Sequence, residues 1–314
     1  MAGGQERILR RRIKTMQSTK KITRAMELIA ATRIVKAQQR VQAARPYADQ
    51  ITAVVQSLAA GGAGAGLPLL TPRSEVRKVA YVVVAGDRGL CGGYNSSVIR
   101  LAERALVADR GNGKEYSLVL VGKKAEDYFR FRKYRIDDVF KGFSDSPGYE
   151  NARQVASAVA ARFEAGETDQ VELFYTQFLS AGSQRAVQRR FMPMEISVAE
   201  GAGSGSGAGS GEPQASYEFE PEPNAILGSI LPRYLESRMY AALLDASASE
   251  YANRQRAMKS ATDNAGDLIL NLSRQMNQAR QTAITTEIME IVGGAEALGA
   301  SKVSAEFVPD RPTF

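Results

Sequence analysis

The sequence contains no histidine and no tryptophan, and its one cysteine is Cys91. Without histidine there are no Ser–His or Cys–His pairs, none of the usual zinc ligand sets, and none of the commonest general base. A single cysteine excludes an internal disulfide or a multi-cysteine metal cluster and fits a reducing compartment. Catalysis would have to rest on carboxylates, lysines or one thiol, so the composition argues against an enzyme. No run approaches the length of about 18 apolar residues that a membrane-spanning helix requires. The basic N-terminus lacks the apolar stretch of a secretory signal. Acidic residues are scarce there too: residues 1–45 hold twelve lysines and arginines against Glu6 and Glu27. That segment carries +10, and the whole-chain charge of +7 leaves −3 elsewhere. A basic arm of this kind serves nucleic acid, an anionic surface or an acidic protein partner, or is a solvated helix face.

Proline and glycine are also unevenly spread. Between Pro232 and Gly293 there is no further proline and one interior glycine, Gly266. A single helix of that length would be about 90 Å long. Its apolar positions form a narrow stripe of mostly small residues: Leu235, Met239, Ala242, Ala246, then Ala257, Ala261, Ala265, Leu268, Leu272, Met276, Ala279 and Ala283. Such a stripe suits one partner helix rather than a globular core. Residues 5–58 read as a second long helix. From Ala30 its seam runs in strict 4,3 steps through Ile34, Ala37, Val41, Ala44, Ala48, Ile51 and Val55 to Leu58. Upstream, Leu9, Ile13 and Met16 form one stripe and Ile22, Met26 and Ile29 a displaced one, which places a shift of the seam at Lys20–Lys21. Pro46 is expected to kink this helix or interrupt its hydrogen bonding. The two helices are each other's natural partners.

The middle of the chain alternates strands and helices. Lys78–Ala85 is a β-branched run suited to a buried strand, and Tyr116–Val121, Asp137–Phe143, Val171–Phe178 and Ala186–Ile196 read as further strands. Helices are expected over Ser96–Ala108, Lys123–Arg132 and Asn151–Glu164, giving a βαβ-type sheet. The predicted architecture is α/β: a long antiparallel coiled coil of the terminal helices with an inserted Rossmann-like βα domain. Its parts are the helix over residues 1–60, the βα foot over 76–198, a Gly/Ser-rich loop and acidic linker over 199–223, the second helix over 224–298, and a tail over 299–314. Asn224 is the expected N-cap of a short turn before Pro232. The tail, with two prolines and little periodicity, is expected to be poorly ordered.

The turn from Gly86 to Asn95 follows the first strand, where a βα fold would bind phosphate. It matches neither G-x-x-x-x-G-K-[ST] nor a clean G-x-G-x-x-G. A structural or docking turn is the better reading, with Asp87 and Arg88 paired to each other or to a partner protein. Cys91, with no histidine as its base, reads as a small packing residue. Two other readings stay open on these residues. One is a basic coiled coil gripping nucleic acid, although only Tyr47, Tyr81 and Tyr94 lie among the first hundred residues as stacking platforms. The other is a nucleotide-binding βα protein.

Four stretches carry a resemblance: Arg11–Ala31 (RRIKTMQSTKKITRAMELIAA), Gly86–Asn95 (GDRGLCGGYN), Ala257–Ala265 (AMKSATDNA) and Ile284–Ala297. The last fits I-T-x-E-x-x-E-x-x-x-G-A-x-A at Ile284, Thr285, Glu287, Glu290, Gly294, Ala295 and Ala297. The chain closely resembles gamma subunits of F-type ATP synthases from Gln5 to Leu298. The resemblance implies a non-catalytic rotor shaft, without cofactor or metal, turning inside a 3:3 ring of alpha and beta subunits. The foot would contact epsilon and the c-ring, so proton flow drives the shaft and the shaft drives the beta subunits. It implies that Lys20, Lys21, Arg24 and Met26 lie near acidic lever loops of the beta subunits. Arg280, Gln281, Thr285 and Glu287 would meet a catch loop, and Arg254 and Glu290 belong to the same coupling region. Asp87, Arg88 and Cys91 mark a docking turn of the foot. No nucleic acid is implied, and the membrane is reached only through the c-ring. The helix begins almost at Met1, which leaves no room for a transit peptide, so the expectation is a peripheral protein on the cytoplasmic side of a bacterial cell membrane. One cysteine also excludes the internal dithiol switch of chloroplast relatives. The stretch over 199–213 and the tail depart from the family pattern, and the former is expected to modulate rotation or coupling.

Overall fold

The computed structural model describes residues 2–60, 64, 66–194 and 222–306. The Gly/Ser-rich stretch, and the tail beyond Glu306, lie outside the described residues. The elements are α1 (Ala2–Ala60), β1 (Lys78–Val84), α2 (Tyr94–Gly111), β2 (Glu115–Val121), α3 (Lys123–Phe131), β3 (Asp138–Phe140), α4 (Tyr149–Glu164), β4 (Gln170–Phe178), β5 (Gln184–Met192) and α5 (Pro223–Glu306). By internal contacts the chain divides into two units, Met1–Met26 with Met258–Phe314, and Glu27–Ala257. Among the described residues no helix is long and apolar enough to cross a membrane.

The second unit holds a five-stranded sheet in the order β3-β2-β1-β4-β5. The first four strands are parallel, and β5 runs antiparallel to β4. β1 is central and, apart from its first residue, buried on both faces, which is why its sequence is a continuous apolar run rather than an alternating one. Val79, Tyr81 and Val83 point to one face with Leu118, Leu120, Phe174 and the buried sides of α2 and α3. Ala80, Val82 and Val84 point to the other with Val119, Val121, Leu173, α4 and the base of the long helices. There, Val55 and Leu58 of α1 and Leu227, Leu231, Leu235 and Met239 of α5 join the core of the sheet. Gly122 (φ 95°) opens α3 where a Cβ would collide with the Ala85 carbonyl, so only glycine allows this approach of β1 to the turn after β2.

The terminal helices follow their own period. On α1 the seam expected from Ala30 to Leu58 is buried or half-buried throughout. Upstream the expectation fails. Ile22 and Ile29 are both 58% exposed, while Thr23 and Glu27 are buried. The same 4,3 steps run through the buried or half-buried Leu9, Ile13, Met16, Thr23, Glu27 and Ala30, with the exposed Lys20 at the step between Met16 and Thr23, so the seam does not shift at Lys20–Lys21. It turns polar there.

α5 shows a similar substitution. Its described seam beyond Met258 runs through Thr262, Ala265, Ile269, Leu272, Met276, Ala279 and Ala283, whereas Leu268 is exposed. In the first unit Thr262 Oγ1 lies 2.8 Å from Thr23 Oγ1. One turn further along each helix, the Lys20 ammonium lies against Gly266, 3.0 Å from where a Cβ would be.

Pro46 lies inside α1, as expected. Three expectations about helix ends are corrected. α5 begins at Pro223 and contains Pro232, because Leu227 and Leu231 are both buried in the core and outweigh the local cost of proline. Asn224 does not cap its own helix; its Oδ1 accepts a hydrogen bond from Gly64 N at 2.8 Å. α5 also continues helically to Glu306, into the region expected to lack order.

Candidate coupling and docking surfaces

The turn after β1 sits at the carboxyl end of the sheet where strand order reverses, with β2 on one side and β4 on the other. In open α/β sheets this crevice receives ligands. Here α5 fills it. A Cβ at Gly86 would stand 3.0 Å from both the carboxyl carbon and Oε2 of Glu250, so the absent side chain is what admits the glutamate. Glu250 is fully buried and accepts a charge-assisted hydrogen bond from Arg254 Nη2, one helical turn along. Arg254 also donates to the Gly89 carbonyl (3.4 Å) and lies over the Tyr251 ring, 5.5 Å from its centroid. Glu250 Oε2 has no hydrogen-bond partner among the described residues. Burial pushes the Glu250 carboxyl up, and Arg254 holds it back only in part.

Asp87 is turned inward rather than paired with Arg88. Its Oδ1 accepts from Lys123 N (2.9 Å), and its Oδ2 accepts from Gly142 N (2.8 Å) and Ser144 N (3.2 Å). One carboxylate thereby ties the turns after β1, β2 and β3 together. Asn95, at the start of α2, accepts from Gly86 N and donates to Arg88 O and to Cys91 Sγ. Cys91 is buried, and desolvation pushes its thiol up, so it is a packing residue and not an activated nucleophile. Arg88 is exposed, as is Leu90, which holds a left-handed backbone (φ 62°). The outward surface of the turn is therefore Arg88 and Leu90, and its inward surface is Asp87 and Cys91.

The remaining expected residues lie in the first unit. Lys20, Lys21 and Arg24 are exposed on α1, and Met26 is half-buried. Arg280, Gln281, Thr285, Glu287 and Glu290 are all exposed on α5. Around them Ile284, Ile288, Met289, Ile291 and Val292 are exposed as well, so this end of the helix is apolar and polar on the same surface. Arg254, expected in the coupling region with Glu290, lies in the second unit and donates to the Gly89 carbonyl of the turn that carries Cys91.

Sequence reasoning missed Glu250, Asn95 and the Thr23–Thr262 pair. Glu250 carried one signal: it stands four residues before Arg254, and the ten residues before it contain no charge except Asp245. A lone i,i+4 ion pair closing a small, apolar helical stretch marks a buried pair rather than a solvated one.

The family model described as ATP synthase matches residues 5–298. The ATP synthase gamma chain of Parafrankia sp. is 50% identical over 301 residues, covering 95% of this chain and 99% of that relative. That of Mycolicibacterium smegmatis is 46% identical over 310 residues, covering 94% and 98%. Among solved structures, a chain in the Euglena gracilis mitochondrial ATP synthase (OSCP/F1/c-ring) superposes with a TM-score of 0.66 at 17% identity, covering 99% of both chains. A chain in the Tetrahymena thermophila mitochondrial ATP synthase central stalk and c-ring gives 0.58 at 22% identity, covering 76% of this chain and 99% of that one. At these identities the solved structures speak for the fold. The match over nearly its whole length to bacterial relatives at close to half identity places this chain in the ATP synthase gamma-chain family.

Proposed function

We propose that this chain is the central-stalk rotor of an F1 ATP synthase, carrying rotation between a c-ring and the catalytic beta subunits without doing bond chemistry itself. The observation that carries the reading is the exposed end of α5. Arg280, Gln281, Thr285, Glu287 and Glu290 stand among five exposed large apolar residues, a surface that suits enclosure by other subunits. The 4,3 burial pattern on both terminal helices supports an antiparallel coiled coil. So do the pairings, in which Lys20 and Thr23 meet Gly266 and Thr262 in one unit and Ile34 meets Tyr251 and Ala252 in the other. The reading divides the chain as residues 1–60 and 224–298 for the shaft and 76–198 for the foot.

In this reading alpha and beta subunits surround the shaft in a 3:3 ring, and epsilon and the c-ring meet the foot at a surface that includes Arg88. Lys20, Lys21, Arg24 and Met26 face the beta levers. The exposed charges contribute little individually, about 0–1 kcal/mol each, and so are exchanged readily as the shaft turns. Coupling arises because a shaft making different contacts with each beta subunit biases each one toward a different state. The complex then lies on the cytoplasmic side of a bacterial membrane, with this chain peripheral to it.

Alpha and beta subunits reconstituted with and without the chain test this. Assembly of a 3:3:1 complex with cooperative ATP turnover, weakened by Arg280→Ala with Glu287→Ala, is the expected result. A chain that neither assembles nor changes turnover would remove the rotor reading.

A further inference from the structure

In the second unit a cavity of about 520 Å³ opens between α1, the start of α4, the end of β4 and α5. That is the size of a site for a drug-sized molecule. Three tyrosines line it: Tyr47 from α1, Tyr149 from α4 and Tyr240 from α5. The rings of Tyr149 and Tyr240 meet edge to face at 5.7 Å and 71°. Tyr149 is held in place by donating its hydroxyl to Glu236 at 2.8 Å.

The cavity also contains a carboxylate that is in no ion pair among the described residues. Asp245 stands at a lining that also includes Val41, Ala44, Phe178 and Leu244, and burial there pushes its carboxyl up. No basic nitrogen among the described residues makes an ion pair with it. The nearest positive influence is Arg45, whose side chain is exposed at the same lining and only partly offsets the desolvation that pushes the Asp245 carboxyl up. Asp49 adds a second negative charge to the lining. Aromatic faces and carboxylates both attract positive charge, and both repel an anion. A partly buried carboxylate outside any ion pair is an unfavourable arrangement that a bound cation would relieve.

We propose that this cavity binds a small organic cation, a quaternary or protonated amine with an apolar body. The tyrosine rings pack around the charged head, and Asp245 is its counter-ion. The site is separate from the expected subunit-coupling residues and does not depend on the rotor reading.

The test is a calorimetric titration of the full-length chain with benzyltrimethylammonium, in parallel with phenylmethanesulfonate, an anion of similar size and shape. The cation is expected to bind saturably and the anion not at all. Asp245→Asn and, separately, Tyr47→Leu are expected to weaken the cation by about tenfold. A melting curve of each variant confirms that it is folded. Equal binding of the two probes overturns the proposal. So does the absence of cation saturation at concentrations on the order of 10 mM, or unchanged affinity in a folded Asp245→Asn chain.

Discussion

Thr23 and Thr262 place their hydroxyl oxygens 2.8 Å apart, both buried, at facing positions of α1 and α5. Thr23 donates onward to the Lys20 carbonyl, and the Thr262 hydroxyl also reaches the Met258 carbonyl. The pair sits in the stretch where the seam of α1 turns polar, next to the buried Glu27. Replacing one hydroxyl by a methyl leaves its partner buried with a weaker set of bonds, whereas replacing both leaves two isosteric apolar groups in contact. Thr262→Val or Thr23→Val alone is therefore expected to cost about 1–2 kcal/mol, and the double variant less than the sum of the two. Denaturant titration of the helical circular dichroism signal for the four chains measures the coupling. Strict additivity would show that the two hydroxyls do not interact.

Gly86 offers a second test, because the missing side chain is matched to one opposing group. Gly86→Ala is expected to destabilise the chain by about 1–3 kcal/mol through crowding of the Glu250 carboxylate. In a Glu250→Gln background the penalty is expected to persist, since the amide has the same volume. In a Glu250→Ala background, where the space is open, it is expected to be small. Glu250→Ala is itself costly, about 3–5 kcal/mol, because Arg254 stays buried without its partner. An undiminished penalty for Gly86→Ala in the Glu250→Ala chain would place its cause in the backbone rather than in the crowding.

Asp245 makes stability depend on pH in a defined direction. Burial raises its carboxyl from the ordinary 3.8 to about 6. Between those values the folded chain holds a proton that the unfolded chain releases, so this group favours folding at the acid end. Its contribution is lost as pH rises through about 6. Asp245→Asn is therefore expected to be neutral near pH 4 and stabilising above pH 6, by at most about 3 kcal/mol. Thermal midpoints of the two chains across that range check it. A difference that does not vary with pH would show that the carboxyl is not desolvated as described.

The strands were legible because a central parallel strand must be apolar on both faces, and Lys78–Val84 can be little else. The seam of α1 was legible wherever apolar residues occupy it and misread where they do not. Between Met16 and Ala30 the buried steps fall on Thr23 and Glu27, the step between Met16 and Thr23 falls on the exposed Lys20, and Ile22 and Ile29 face outward. Following hydrophobicity alone through that stretch produced a displacement of the seam that the helix does not have. On α5 the same bias selected Leu268 over Ile269. The crevice was opaque for a different reason. Glu250 meets Gly86 at a sequence separation of 164, and nothing local to either residue announces the other.

The base of α5 and the sheet share one set of interlocked side chains. Leu227, Leu231, Leu235 and Met239 fit among Val82, Val84, Val119 and Val121. Sliding the helix over the sheet would bare several of these groups at about 1.5–3 kcal/mol each. The joint therefore behaves as a key in a keyway: a twist applied to the sheet reaches the helix with little lost motion, and α5 leaves this joint already committed to the orientation of the sheet.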